Sequence, residues 1–87
     1  MKPFKIGTKR YIYDPRAQDD VCLAHILAVM PHPDNDEDQI IVYRFWGKHR
    51  KYYFYGAKQA SLLGLWNGYV NDVVQYRKKK RKEKKRI

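Results

Sequence analysis

Three clusters of side chains in this chain have types and spacings that could do chemistry. The first is terminal. From Arg77 to Arg86, nine of ten residues are Lys or Arg, and only Glu83 interrupts them. Arg77, Lys78, Lys79, Lys80, Arg81, Lys82, Lys84, Lys85 and Arg86 suit a polyanion, because each phosphate they neutralise releases a condensed counterion. The second cluster is Lys48-His49-Arg50-Lys51, which lies beside Trp46, Tyr52, Tyr53 and Tyr55. Cations next to rings suit unpaired nucleic acid, since bases stack on the rings while Lys48, Arg50 and Lys51 hold the backbone. Trp46 and Tyr53 are the candidate stacking partners.

The third cluster is acidic: Asp34-Asn35-Asp36-Glu37-Asp38. Carboxylates at 34, 36 and 38 match the first three ligand positions of an EF-hand loop. The sixth position is Gln39 rather than Gly and the twelfth is Phe45 rather than Glu, so the calcium loop fails on both discriminating residues. What remains is a solvated acidic loop. Its other use would be protein binding, with Asp34, Asp36, Glu37 and Asp38 presented to a basic partner surface or to the chain's own basic end.

The other reactive residue types do not assemble. His25, His32 and His49 have no Cys or His neighbour at ligand spacing, and Cys22 stands alone. A single cysteine excludes an internal disulfide and a cysteine-based zinc site. Ser61 and Thr8 lack the surroundings of a nucleophile, and there is no glycine-rich phosphate loop. No two groups are placed so that their pKa values would be driven apart, as acid–base catalysis requires. We expect no enzyme activity, no cofactor and no metal.

The charge is lopsided. Of a formal net +10 over 87 residues, the first 76 hold ten Lys/Arg against eight Asp/Glu, a net of only +2. The expected organisation is a single small domain over 1–76 with a basic tail over 77–87, disordered when free because like charges repel and bury nothing. No apolar run approaches the roughly 20 residues needed to cross a bilayer. The N-terminus lacks the apolar segment of a signal peptide. The expected setting is reducing and cytoplasmic, with association to nucleoid or ribosome as special cases.

These clusters need elements to position them. Tyr11 and Tyr13 alternate with Ile12, and Asp14-Pro15 closes the segment, which predicts a strand at about 8–13. Val21 to Met30 is apolar except for His25. A buried helix and a strand both fit that run, but the flanking Asp19-Asp20 and Pro31-His32-Pro33 favour a central strand. His25 then reads as a satisfied core or edge histidine. Residues 39–46 and 51–55 are rich in β-branched and aromatic types and predict a hairpin with a cationic tip.

Beyond Gly56 the period changes. Leu62, Trp66, Tyr69, Val73 and Tyr76, widened by Leu63, Val70 and Val74, form a helical stripe over about 60–76. Ser61 is a candidate cap, and Gly64 is a candidate kink. The fold class is therefore α+β: a small antiparallel sheet or barrel of about four strands, then one amphipathic helix and the tail.

Gly7 with Tyr11-Ile12-Tyr13-Asp14, Ala24-His25-Ile26, and Ile41-Val42-Tyr43-Arg44-Phe45-Trp46-Gly47-Lys48 together resemble the rhythm of SH3-like barrels of the Tudor and chromo-barrel type over residues 5–56. The resemblance implies a fold. Where chromo-barrels carry an acidic-aromatic signature this chain has Lys51-Tyr52-Tyr53-Phe54, so it implies no methyl-lysine pocket. The expected function is non-enzymatic nucleic-acid binding, DNA or RNA. The alternative is a small adaptor or inhibitor of the type encoded by phages and mobile elements, acting through the acidic loop or the aromatic sheet.

Overall fold

Strand β1 (Lys9–Tyr13) leads through a short 3-10 turn (Gln18–Asp20) into the long β2 (Val21–Pro31). β3 (Gln39–Trp46) and β4 (Tyr53–Gln59) follow, then α1 (Ala60–Leu65) and α2 (Asn67–Lys85). These elements come from a computed structural model that describes residues 4–47 and 50–85. All neighbouring strands pair antiparallel in the order β1-β2-β3-β4. The run Val21–Met30 is thus the central strand that its proline and aspartate flanks predict.

Alternation decides what each face does. Ile12, Cys22, Ala24, Ile26, Ile41, Tyr43 and Phe45 are buried and form the core with Phe4, Ala60 and Leu63. Their neighbours in sequence, Tyr11, Leu23, His25, Arg44 and Trp46, must then point to the other face. A bulge between Ile26 and Ala28 shifts the β2–β3 register by one residue and keeps Val29 packed against the core.

The sheet curls without closing, so a barrel is not formed among the described residues. Its edges are joined by side chains instead. Arg16, just past β1, donates through Nη1 to the Tyr55 carbonyl of β4 at 2.9 Å. Lys58 Nζ donates to the Tyr13 carbonyl at 3.3 Å. Beneath this seam lies Asp14, 1% exposed. It accepts from the Tyr43 hydroxyl at 2.6 Å, from Arg16 Nη2 at 3.0 Å and from Arg16 Nε at 3.1 Å. Burial would raise this carboxyl, but the bonds from Arg16 and Tyr43 outweigh it and hold it at about 2. Burial and then the Asp14 contact push the Tyr43 hydroxyl well above its usual range. Gly56 pairs with Tyr43 across β3–β4, and a Cβ there would lie 2.6 Å from the Tyr43 ring.

The expected helix is present but broken at Trp66, where the chain turns and the indole stacks on Tyr13 at 4.3 Å. α1 packs on β3 and β4, burying Ala60 and Leu63. α2 buries Val70 and lies along β1. The expected stripe is therefore shifted: Leu62, Trp66, Tyr69 and Tyr76 stay exposed because the break rotates the two helices onto different parts of the sheet. β4 starts at Tyr53 rather than Lys51, since Gly47 N–H bonds the Tyr52 carbonyl and leaves 50–52 in the turn.

The charge pattern predicts residues 77–87 to be disordered when free, and of these 86 and 87 lie outside the described residues. α2 instead continues through the others to Lys85. The packed first half of the helix has already met the nucleation cost, and Lys and Arg are good helix formers, so each added residue costs little. Among the described residues no helix is long and apolar enough to cross a membrane.

Candidate nucleic-acid interface

Cross-strand register builds the site. Lys9 of β1 stands opposite His25 of β2, and His25 opposite Arg44 of β3. Three nitrogen-bearing side chains thus form one row across the outer face. Two residues along β3, Trp46 pairs with Tyr53 of β4, and their rings stack at 4.0 Å with an interplanar angle of 26°. The Arg44 guanidinium lies over the Tyr53 ring, 4.5 Å from its centre.

α2 supplies the opposing wall. Three hydrogen bonds and an ion pair fix its course past the β1–β2 connection. Tyr69 donates its hydroxyl proton to the Asp19 carbonyl at 2.9 Å. Arg77 Nη2 donates to the carbonyls of Gln18 at 2.7 Å and Val21 at 3.1 Å. Arg77 also pairs with the Asp19 carboxylate at 3.9 Å. Asp19 and Asp20 adopt left-handed φ values of 56° and 61°, which turn the Asp19 carbonyl and carboxylate toward the helix.

Between helix and sheet is a cleft of about 590 Å³. Lys9, His25, Arg44, Trp46, Arg50 and Tyr53 line it from the sheet and hairpin, and Tyr76, Arg77 and Lys80 from α2. Asp19 is the only carboxylate on its lining among the described residues, and Arg77 pairs with it. A cleft with an excess of one charge sign and aromatic, low-dielectric walls concentrates anions. One lining residue carries an unmet donor: Arg44 Nε is buried and finds no acceptor among the described residues. Leaving such a donor unpaired costs about 1–3 kcal/mol.

Of the residues expected from sequence, Trp46, Arg50, Tyr53, Arg77 and Lys80 come together in this cleft. Lys78, Lys79, Arg81 and Lys82 are exposed on α2 beyond the last anchoring contact. Lys84 and Lys85 close the helix, whereas Lys48, His49 and Arg86 lie outside the described residues. Lys51 is exposed in the turn and does not line the cleft. Lys9, His25, Arg44 and Tyr76 join the cleft without being expected there. Strand parity alone would group Arg44 with Trp46, but the row from Lys9 to Arg44 needs the register.

The acidic loop is partly committed to structure. Asp38 accepts from the Ser61 hydroxyl at 2.6 Å, the Ser61 amide at 3.1 Å and the Gln39 amide at 2.8 Å. These bonds, the Ser61 hydroxyl foremost, hold its carboxyl below the usual range. Asp38 rather than Ser61 therefore caps α1, from 23 residues upstream. Asp34, Asp36 and Glu37 are exposed. Burial pushes the Cys22 thiol up to about 12, which leaves no thiolate at neutral pH.

No family model, no curated protein and no solved structure matches this chain, so the chemistry of the cleft itself must carry the functional reading.

Proposed function

We propose that this protein binds nucleic acid without transforming it, using the cleft together with the cationic outer half of α2. What supports this reading is convergence. Lys9, Arg44, Arg50, Arg77 and Lys80 come from distant parts of the chain to one aromatic-walled cleft. A continuous cationic helix then leads away from it through Lys78, Lys79, Arg81 and Lys82. The curled sheet is an SH3-like frame in this reading, with the Arg16 and Lys58 bridges standing in for the missing closure between β1 and β4. A cytoplasmic setting, at nucleoid or ribosome, would provide the ligand.

Salt dependence is the test. The quadruple variant K78Q/K79Q/R81Q/K82Q keeps helix-forming side chains and removes four charges. Electrophoretic shifts across a salt series should show the log–log slope flattening by about 0.7–0.9 for each phosphate that is no longer neutralised. An unchanged slope and affinity would remove α2 from the interface. The adaptor reading would instead require binding that survives nuclease and depends on Asp34, Asp36 and Glu37.

A further inference from the structure

We propose that the cleft takes an unpaired strand, DNA or RNA, with one base stacked on the open face of Trp46. This rests on the nucleic-acid reading above and narrows it. Size is the first argument. At about 590 Å³ the cleft falls within the range of about 300–1,000 Å³ that holds compact ligands. That suits a nucleotide or two and is too small to enclose a double helix. The second argument is a stack that the protein begins and does not finish. Arg44 lies on Tyr53 and Tyr53 on Trp46, yet Trp46 keeps 51% of its surface exposed. Every unpaired base offers a π-face to continue such a stack, whereas a duplex keeps its base faces to itself.

The third argument is independent of the rings. The Arg44 guanidinium lines the cleft, and its buried Nε has no acceptor among the described residues. It lies in the same cross-strand row as Lys9 and His25. A backbone phosphate running along that row brings acceptor oxygens to Arg44 and sets the attached base toward Trp46. Charged backbone contacts on one side and a ring on the other are what single-strand recognition requires.

Fluorescence anisotropy on the full chain separates the possibilities, with labelled oligothymidylate, oligouridylate and a hairpin duplex of equal phosphate count. At least one single strand should bind about tenfold or more tightly than the duplex. Trp46→Ala should weaken single-strand binding by about 5- to 150-fold and so lower the ratio of single-strand to duplex affinity. Trp46→Phe should restore part of the loss, and Trp66→Phe, altering a ring held against Tyr13, should have no effect. Equal affinity for strand and duplex, with Trp46→Ala silent, overturns the inference and leaves the broader reading standing. Failure of all three probes to bind at low salt overturns the broader reading itself.

Discussion

Arg16 and Arg44 serve opposite faces of one sheet and are treated oppositely by the fold. Arg16 spends its donors inside the protein, on both oxygens of Asp14 and on the Tyr55 carbonyl, and its guanidinium lies 5.5 Å from both the Phe45 and Phe54 rings. Arg44 has a ring beneath it but leaves Nε without an acceptor among the described residues. The inner cluster is chemically complete, as expected of polar groups that hold an edge of the core in place. The outer one has donor capacity and ring surface to spare. The difference places the satisfied polar cluster on one side of the sheet and, in the proposed function, the binding face on the other.

The largest effect should come from breaking the complete side. Asp14→Ala leaves the Tyr43 hydroxyl and the Arg16 guanidinium without their shared acceptor. The expected loss is about 2–3 kcal/mol in urea unfolding, less than for a sealed ion pair because Arg16 is partly exposed. The same carboxyl predicts a pH dependence. Its value falls from an ordinary 3.8 to about 2 on folding, so the ionised form favours the folded state. That stabilisation is complete above pH 3.8 and is lost as pH drops through the interval down to about 2, amounting to about 2 kcal/mol. Acid titrations of stability should show this slope in the natural chain and lack it in Asp14→Asn.

A somewhat smaller effect is expected at Gly56, whose missing Cβ leaves room for the Tyr43 ring and for Arg16 Nη2. Gly56→Ala should cost about 1–3 kcal/mol by overpacking the seam, with nucleic-acid affinity per folded molecule unaltered. The smallest stability change sharpens the contrast. Arg44→Met removes an unmet buried donor and keeps an apolar stem on Tyr53, so thermal unfolding should move by less than about 1 kcal/mol in either direction. Binding should nevertheless weaken. A destabilisation as large as that of Asp14→Ala would mean that Arg44 is structural and would erase the distinction between the faces.

The fold was legible where local chemistry and tertiary structure agree. Proline and aspartate flanks marked β2, and β-branched and aromatic runs marked the β3–β4 hairpin, because each signal acts within a few residues. The end of the helix was not legible. Charge repulsion among Lys78–Lys82 argued for disorder, yet those residues only extend a helix already pinned by Val70, Tyr69 and Arg77. Part of the candidate site was visible as a cation next to a ring at 46–53. The rest depends on pairing: Lys9, His25 and Arg44 are far apart in sequence and become a row only through strand register. Tyr76 joins them because the turn at Trp66 sets the path of α2. Asp38 illustrates the same limit, since its partner Ser61 is brought near by the whole β3–β4 hairpin.

The most direct test is a backbone and indole ¹H–¹⁵N titration of the full chain with a short single-stranded oligonucleotide. Shifts should concentrate at Lys9, His25, Arg44, the Trp46 indole and the Tyr76–Lys80 stretch, while Ile12, Asp14 and Tyr43 on the inner face stay still. Shifts confined to residues 34–38, or none at any strand concentration, would contradict the assignment of the outer cleft as the binding face.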